Sequence, residues 1–353
     1  MTDVTNPDVR PIDPASTHMF REAAEASAVV RAQFGANQTT ATELGRTLRA
    51  MAPRAVVTCA RGSSDHAATF AKYLIETRTG ILTASAAPSV SSVYGVQQDL
   101  GECLFLAISQ SGKSPDLVAA AKAAKSAGAL VVALVNSDDT PLAETADHVL
   151  PLCAGPEQSV AATKSYIASL AAIIHLLGAW TEDTELLAAL SAAPDALDRA
   201  WRLDWDAALP VLSGGRSLYV IGRGMGLGIA QEAALKCKET CGLHAEAFSS
   251  AEVRHGPQAL LQAGFPALIF SQDDESRDDL ETLAADLVER GVTVMLAGNP
   301  VAGTIPLATI ETHPAIQPLL IVQRFYRLAN ALSIARGFDP DRPPHLRKIT
   351  ETR

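Results

Sequence analysis

The chain has 353 residues, 48% of them hydrophobic, and a formal net charge of −10 at pH 7. That length accommodates two α/β domains, each expected to hold its own core, and the negative balance argues against nucleic acid or an anionic membrane surface as a partner. No apolar run is long enough to span a bilayer and no basic-then-apolar leader opens the chain, so a soluble cytoplasmic protein is expected.

Residues 1–16 place Pro7, Pro11 and Pro14 among polar side chains and read as a loosely held arm. The patterning then predicts a helix over 18–33. It continues with strands near 54–59, 81–84, 103–108, 130–135 and 148–152, and helices near 63–77, 114–127 and 160–179. A helical connection is expected over 182–209. A second series follows, with strands near 217–221, 266–270, 292–296 and 306–310 and helices near 227–241, 276–290 and 315–336. Beyond Gly337 the prolines Pro340, Pro343 and Pro344 prevent a helix from continuing, and residues 338–353 become a tail. The fold class is therefore α/β. Two units, 17–195 and 196–337, each hold a mostly parallel sheet flanked by helices in a flavodoxin-like three-layer arrangement.

The richest segment is Leu106-Ala-Ile-Ser-Gln-Ser-Gly-Lys-Ser-Pro115, an apolar strand that breaks into hydroxyls and a glycine before a helix. Such a turn offers hydroxyl donors from Ser109, Ser111 and Ser114, the Gln110 amide and unpaired helix N–H groups to an anion. By itself it also reads as a serine-rich turn with an N-cap. The construction recurs: Arg61-Gly-Ser-Ser64 and Arg223-Gly-Met-Gly226 lie 223 − 61 = 162 residues apart, each after an apolar run. At the same offset, 271 − 109 = 162, Leu268-Ile-Phe-Ser-Gln-Asp-Asp-Glu-Ser276 overlies 106–114. The chain reads as two copies of one unit. In the second copy Asp273 and Asp274 replace Ser111 and Gly112, and Gly226 replaces Ser64, so carboxylates stand where an anion would sit and repel it. Phosphate binding is assigned to the first copy. With an acidic chain, local cations must attract the anion, and Arg61, Lys113, Arg223 and Lys348 are the candidates.

Other readings of the residues are weaker. The five cysteines form no C-x-x-C pair, and Cys237, Cys241 and His244 lack an evident fourth ligand, so no metal is expected. The glycines of Gly222-Arg-Gly-Met-Gly-Leu-Gly228 have dinucleotide-like spacing without the acidic residue that should follow, so no nucleotide cofactor is expected.

Several segments appear in the order of a known family. They are Ser109-Gln-Ser-Gly112, Ala161-Ala-Thr-Lys164, Glu232-Ala-Ala-Leu-Lys-Cys-Lys-Glu239, His244-Ala-Glu-Ala-Phe248, Glu252-Val-Arg-His-Gly-Pro257 and Leu346-Arg-Lys348. On these the chain, from about Met19 to Lys348, resembles the double sugar-isomerase (SIS) domain proteins, among them the isomerase half of glucosamine-6-phosphate synthase. The resemblance implies that Ser64, Ser109, Gln110, Ser111 and Ser114 hold a sugar phosphate, with Gly62, Ser63, Val160, Ala161 and Ala162 also contributing to the phosphosugar site. It implies Glu239, with Lys236, as the shuttle of a proton between C1 and C2. It further implies His255 as the ring opener, lent by the neighbouring subunit of a homodimer, and Lys348 in a tail that closes over the site to meet the open-chain carbonyl carbon. Ala162 stands where the synthase usually has serine, and Lys113 where an acidic residue is common.

Moving a carbonyl between C1 and C2 needs a base, and burial would raise a carboxylate such as Glu239 toward neutrality. Spacing alone would make Lys236 and Glu239 a solvated i,i+3 ion pair, His255 a surface-loop residue before Gly256-Pro257, and Lys348 a solvated tail lysine. The chain begins Met1-Thr2-Asp3 where the synthase carries a glutaminase domain. The expected reaction therefore releases ammonia: glucosamine 6-phosphate plus water gives fructose 6-phosphate, without metal or redox cofactor. Other readings are an isomerase or deglycase acting on galactosamine 6-phosphate or a fructosyl-amine 6-phosphate, and a non-catalytic sugar-phosphate sensor. The sensor would not need Glu239, His255 and Lys348 together, and no helix-turn-helix precedes residue 17.

Overall fold

A computed structural model describes residues 12–348. The expected N-terminal arm lies outside the described residues up to residue 11. Its remainder forms a 3-10 turn, Pro14–Ser16, whose Pro14 carbonyl accepts from Asn330 Nδ2 at 3.0 Å. Helices α1 (His18–Ala24) and α2 (Ala26–Met51) follow. The helix expected to stop at residue 33 thus runs on to Met51. Gly35 and several threonines weaken its local signal, and tertiary contacts compensate: Gln33 Nε2 donates to the carbonyls of Leu152 and Ala168 at 3.0 and 2.9 Å, and Asn37 Nδ2 to that of Pro151 at 2.7 Å.

The first unit contains β1 (Ala55–Cys59), α3 (Ser63–Thr79), β2 (Thr83–Ser85), α4 (Ser89–Ser92), β3 (Cys103–Ser109) and α5 (Pro115–Ser126). It continues with β4 (Leu130–Val135), α6 (Pro141–Thr145) and β5 (His148–Pro151). Its strands are all parallel, in the order β2-β1-β3-β4-β5. All seven residues of β3 are buried, as a parallel strand covered on both faces requires. Helices α7 (Lys164–Thr181), α8 (Thr184–Ala200) and α9 (Leu209–Gly214) lead into the second unit. Residues 160–163, expected to open α7, are a loop instead, and this loop borders the site described below.

The second unit contains β6 (Ser217–Gly222), α10 (Met225–Cys241), β7 (His244–Ser249), α11 (Ser250–Val253), β8 (Pro266–Phe270) and α12 (Arg277–Glu289). It ends with β9 (Thr293–Ala297), β10 (Ile305–Leu307) and α13 (Gln317–Ala335). Its parallel order, β10-β9-β8-β6-β7, is that of the first sheet read from the opposite edge. Strand β7 is absent from the sequence-based assignment because it is a half-exposed edge strand with no apolar run. The 162-residue offset carries 83–85 of β2 onto 245–247, which is the signal that would have found it.

The outer faces of the two sheets have separate cores, under α5 around Phe105 and Val131 and under α12 around Ile269 and Val294. The inner faces do not. One continuous cluster joins Val56 and Leu106 to Val220, Leu268 and Phe270 through Phe70 of α3 and Ile229 and Ala233 of α10, which corrects the expectation of one self-contained core per unit. Helices α3 and α10 meet so closely that a Cβ on Gly228 would lie 2.6 Å from the His66 carbonyl oxygen and 3.0 Å from Phe70 N. That glycine of the dinucleotide-like pattern is therefore consumed by helix packing. No helix of the described residues is long and apolar enough to cross a membrane.

Candidate active site

Two turns at the carboxyl ends of β1 and β3 form one rim, the usual ligand edge of an open parallel sheet. Gly62, at φ 56°, leads into α3, and the Ser109–Ser114 turn leads into α5 with Ser114 as N-cap and Pro115 in the first turn. Ser109 Oγ accepts from Gly112 N at 3.1 Å, and Ser111 Oγ from Lys113 N at 3.3 Å. Gly112 has φ 62°, and a Cβ there would lie 2.4 Å from Thr140 Oγ1, so both conformation and space demand glycine. A cavity of about 360 Å³ opens between the turns, lined by Gly62, Ser63, Ser64, Ser109, Gln110, Ser111 and Ser114. The N-termini of α3 and α5 border it, presenting N–H groups and positive dipole ends to an anion. Arg61 lines it too, its Nε 2.9 Å from buried Asp116 Oδ2, an ion pair that steadies the guanidinium beside the cavity.

The far wall comes from the second unit. Glu232, Lys236 and Glu239 are spaced i, i+4 and i+7 on α10 and so share one face. Lys236 is fully buried, with Nζ 2.9 Å from Glu232 Oε1, 2.8 Å from Glu239 Oε2 and 2.9 Å from Ser63 Oγ. This corrects the solvated i,i+3 pair, because a lysine taken wholly out of water must have partners for its charge. Burial works to lower the Lys236 pKa, but Glu232 and Glu239 outweigh it and hold the ammonium above the usual lysine value. Glu232, also fully buried, takes His66 Nδ1 at 3.0 Å and the Tyr326 hydroxyl at 3.0 Å. Burial pushes its carboxyl up; Lys236 and His66 more than offset this and leave it below the usual range. Glu239 lines the cavity with its side chain 22% exposed, so it sits partly open in an ion pair with Lys236 rather than in the burial expected.

The third wall is the C-terminal segment. Leu346, Arg347 and Lys348 line the same cavity, and Lys348 Nζ donates to Glu157 Oε2 at 3.0 Å and to the Ser159 carbonyl at 2.6 Å. Glu157 is wholly buried and also accepts from Thr163 N, Ser165 N and Ser165 Oγ at 3.0, 3.1 and 2.7 Å. Burial raises its pKa, but the Lys348 ammonium and these donors bring it below the ordinary carboxylate value. Glu22 of α1 accepts from Gln158 N and Ser159 N. The two carboxylates thereby shape the 157–163 loop, whose Val160 and Ala162 line the cavity while Ala161 is buried.

The other expected residues lie elsewhere in the chain. His255 is exposed on the turn after α11, outside the cavity. Arg223 is bound to Asp279 and Ser250 in the second unit, and Lys113 is exposed and is not among the cavity-lining residues, so neither serves as the local cation foreseen. Cys237 and Cys241 are buried thiols pushed up by burial, and no group of three metal-ligating side chains occurs among the described residues. Sequence reasoning missed Glu157, His66 and Tyr326 and gave Glu232 no role. The i, i+4, i+7 spacing on α10 would have drawn in Glu232, whereas nothing local marks the others.

The SIS domain model matches residues 52–178 and 212–300. A glutamine–fructose-6-phosphate aminotransferase (isomerizing) from Aeropyrum pernix is 35% identical over 307 residues, 81% of this chain and 49% of that protein; the chain spans about half the length of the curated relatives it matches. A Silicibacter pomeroyi structure, provisionally described as a phosphosugar isomerase, is 41% identical with a TM-score of 0.89, over 92% of this chain and 100% of that one. The glucosamine-6-phosphate deaminase structure from Thermotoga maritima, at 22% identity, TM-score 0.76 and coverage of 95% and 100%, shares the fold. With a duplicated parallel sheet and a family match over more than half its length, the chain belongs to the SIS domain family.

Proposed function

We propose that this chain is an amino sugar phosphate deaminase and isomerase that converts glucosamine 6-phosphate and water to fructose 6-phosphate and ammonia. The observation that carries the reading is that one cavity gathers an anion cradle, a carboxylate and a lysine from three distant parts of the chain. The sugar phosphate sits on the Ser109–Ser114 turn and the Gly62–Ser64 turn. His255 of a second copy opens the ring, in a homodimer. Glu239 removes the C2 proton of the open-chain aldehyde, giving an enolamine, and returns it to C1, leaving an imine at C2. Water adds to that carbon and ammonia departs. Lys348, facing Glu157, supplies positive charge beside the carbonyl oxygen as electrons move onto it.

Ammonia release from glucosamine 6-phosphate, with formation of glucosamine 6-phosphate from fructose 6-phosphate and ammonium in reverse, tests the reading. Turnover in both directions is expected. Galactosamine 6-phosphate and a fructosyl-amine 6-phosphate are the next substrates to assay, and Ala162, which lines the cavity where the synthase usually has serine, is a position at which their contacts would differ. Ammonia release only from one of these would move the assignment to it, and binding without turnover of any would make the chain a sensor.

A further inference from the structure

We propose that His66 is a positioning residue for Glu239, acting on it through Glu232 and Lys236; the inference rests on the role given to Glu239 above. Lys236 has three N–H donors and three acceptors, Glu232, Glu239 and Ser63, so its ammonium is fully committed. Whatever strengthens its bond to Glu232 weakens its bond to Glu239. Glu232 takes part in this competition, and His66 and Tyr326 moderate it by each donating to the Glu232 carboxylate. An ionised carboxylate only accepts, so His66 Nδ1 carries the hydrogen.

The two donors differ in one respect. Tyr326 is fully buried, its hydroxyl held protonated by burial and by Glu232, whereas the His66 side chain is 19% exposed and reaches solvent. Of the two donors to Glu232, His66 is therefore the one through which a change in solution conditions reaches the buried chain from the side remote from Glu239. The groups around it are Asp65 on its own helix, Glu232, Lys236 and Glu239 on α10, Tyr326 on α13, and Tyr166 on α7, which feels the Glu232 charge. The contact exists because Gly228 lets α10 lie against the His66 backbone.

The test compares His66→Leu with His66→Asn, whose amide can still donate to Glu232, in the full-length protein. His66→Leu is expected to lower kcat about tenfold, the loss of one hydrogen bond to a charged group, and to shift the acid limb of the kcat profile upward. The Kd for fructose 6-phosphate should stay within about twofold, and His66→Asn should recover most of the kcat. Unchanged kcat and profile in His66→Leu would overturn the proposal, as would an equal loss in both variants accompanied by a lower Tm. If the wild-type protein releases no ammonia from any substrate, the functional reading fails separately. The positioning role is then read from the ring nitrogens of His66 by NMR with labelled histidine: a response to Glu239→Gln supports it, and none refutes it.

Discussion

The turns after β3 and β8 occupy the same place in two copies of one sheet and have opposite interiors. In the first, the side chains of Ser109, Gln110, Ser111 and Ser114 face a cavity. In the second, Asp273 N donates to Gln317 Oε1 at 2.6 Å, and the Asp273 carboxylate accepts from Gln317 Nε2 at 2.9 Å and pairs with Arg277. Asp274 accepts from Gln272 Nε2 at 2.9 Å and from Ser276. A second cleft of about 530 Å³ remains there, lined by Gly224, Met225, Asp273 and Thr77, which are Gly62, Ser63, Ser111 and Glu239 displaced by the repeat. Helices α3 and α10 start at the turn of their own unit and end at the cleft of the other, so each cleft receives its far wall from the other copy. A few side chains separate a cleft lined by Ser111 and Glu239 from one lined by Asp273 and Thr77.

Glu239→Gln breaks the comparison hardest, since it removes the group that Thr77 fails to supply. Turnover should fall about 10³-fold with the Kd for fructose 6-phosphate nearly unchanged; equal losses in kcat and affinity would make Glu239 structural. Ser111→Asp copies the second turn into the first and should weaken fructose 6-phosphate binding by about 3 kcal/mol, or roughly 100-fold, by calorimetry. The reverse change, Asp273→Ser, should create no phosphate site, because Gln272 and Gln317 still fill the turn. The smallest effect sharpens the comparison most. Gly62 and Gly224 both have φ 56° with nothing closer than 3.8 Å to an added Cβ, so Gly62→Ala and Gly224→Ala should each cost about 1 kcal/mol in urea unfolding. Only the first should alter ligand affinity.

Much of this was legible in the chain. The duplication, the parallel sheets and the cradle at Ser109–Ser114 follow from apolar runs and turn residues, which are local properties. The errors fall where tertiary contact overrides local pattern. Helix α2 persists past Gln33 because Gln33 and Asn37 satisfy carbonyls of β5 and its neighbours, and β7 exists because β6 pairs with it. Residues 160–163 are a loop because Glu22 holds the backbone N–H groups of Gln158 and Ser159 before it and Glu157 holds those of Thr163 and Ser165 at its end.

By itself, then, the sequence determined the two-copy α/β architecture and the contrast between a serine-rich turn in one copy and an acidic turn in the other, because strand and turn chemistry is written within a few residues. The tertiary structure decided that the wall of the first cleft comes from α10 and from the C-terminal segment. It also decided that Lys236 is a buried hub rather than a surface ion pair, and that Glu157 and His66 belong to the site at all. These depend on residues more than a hundred positions apart meeting across a shared core, and burial and charge pairing at such distances arise only once the two copies have packed.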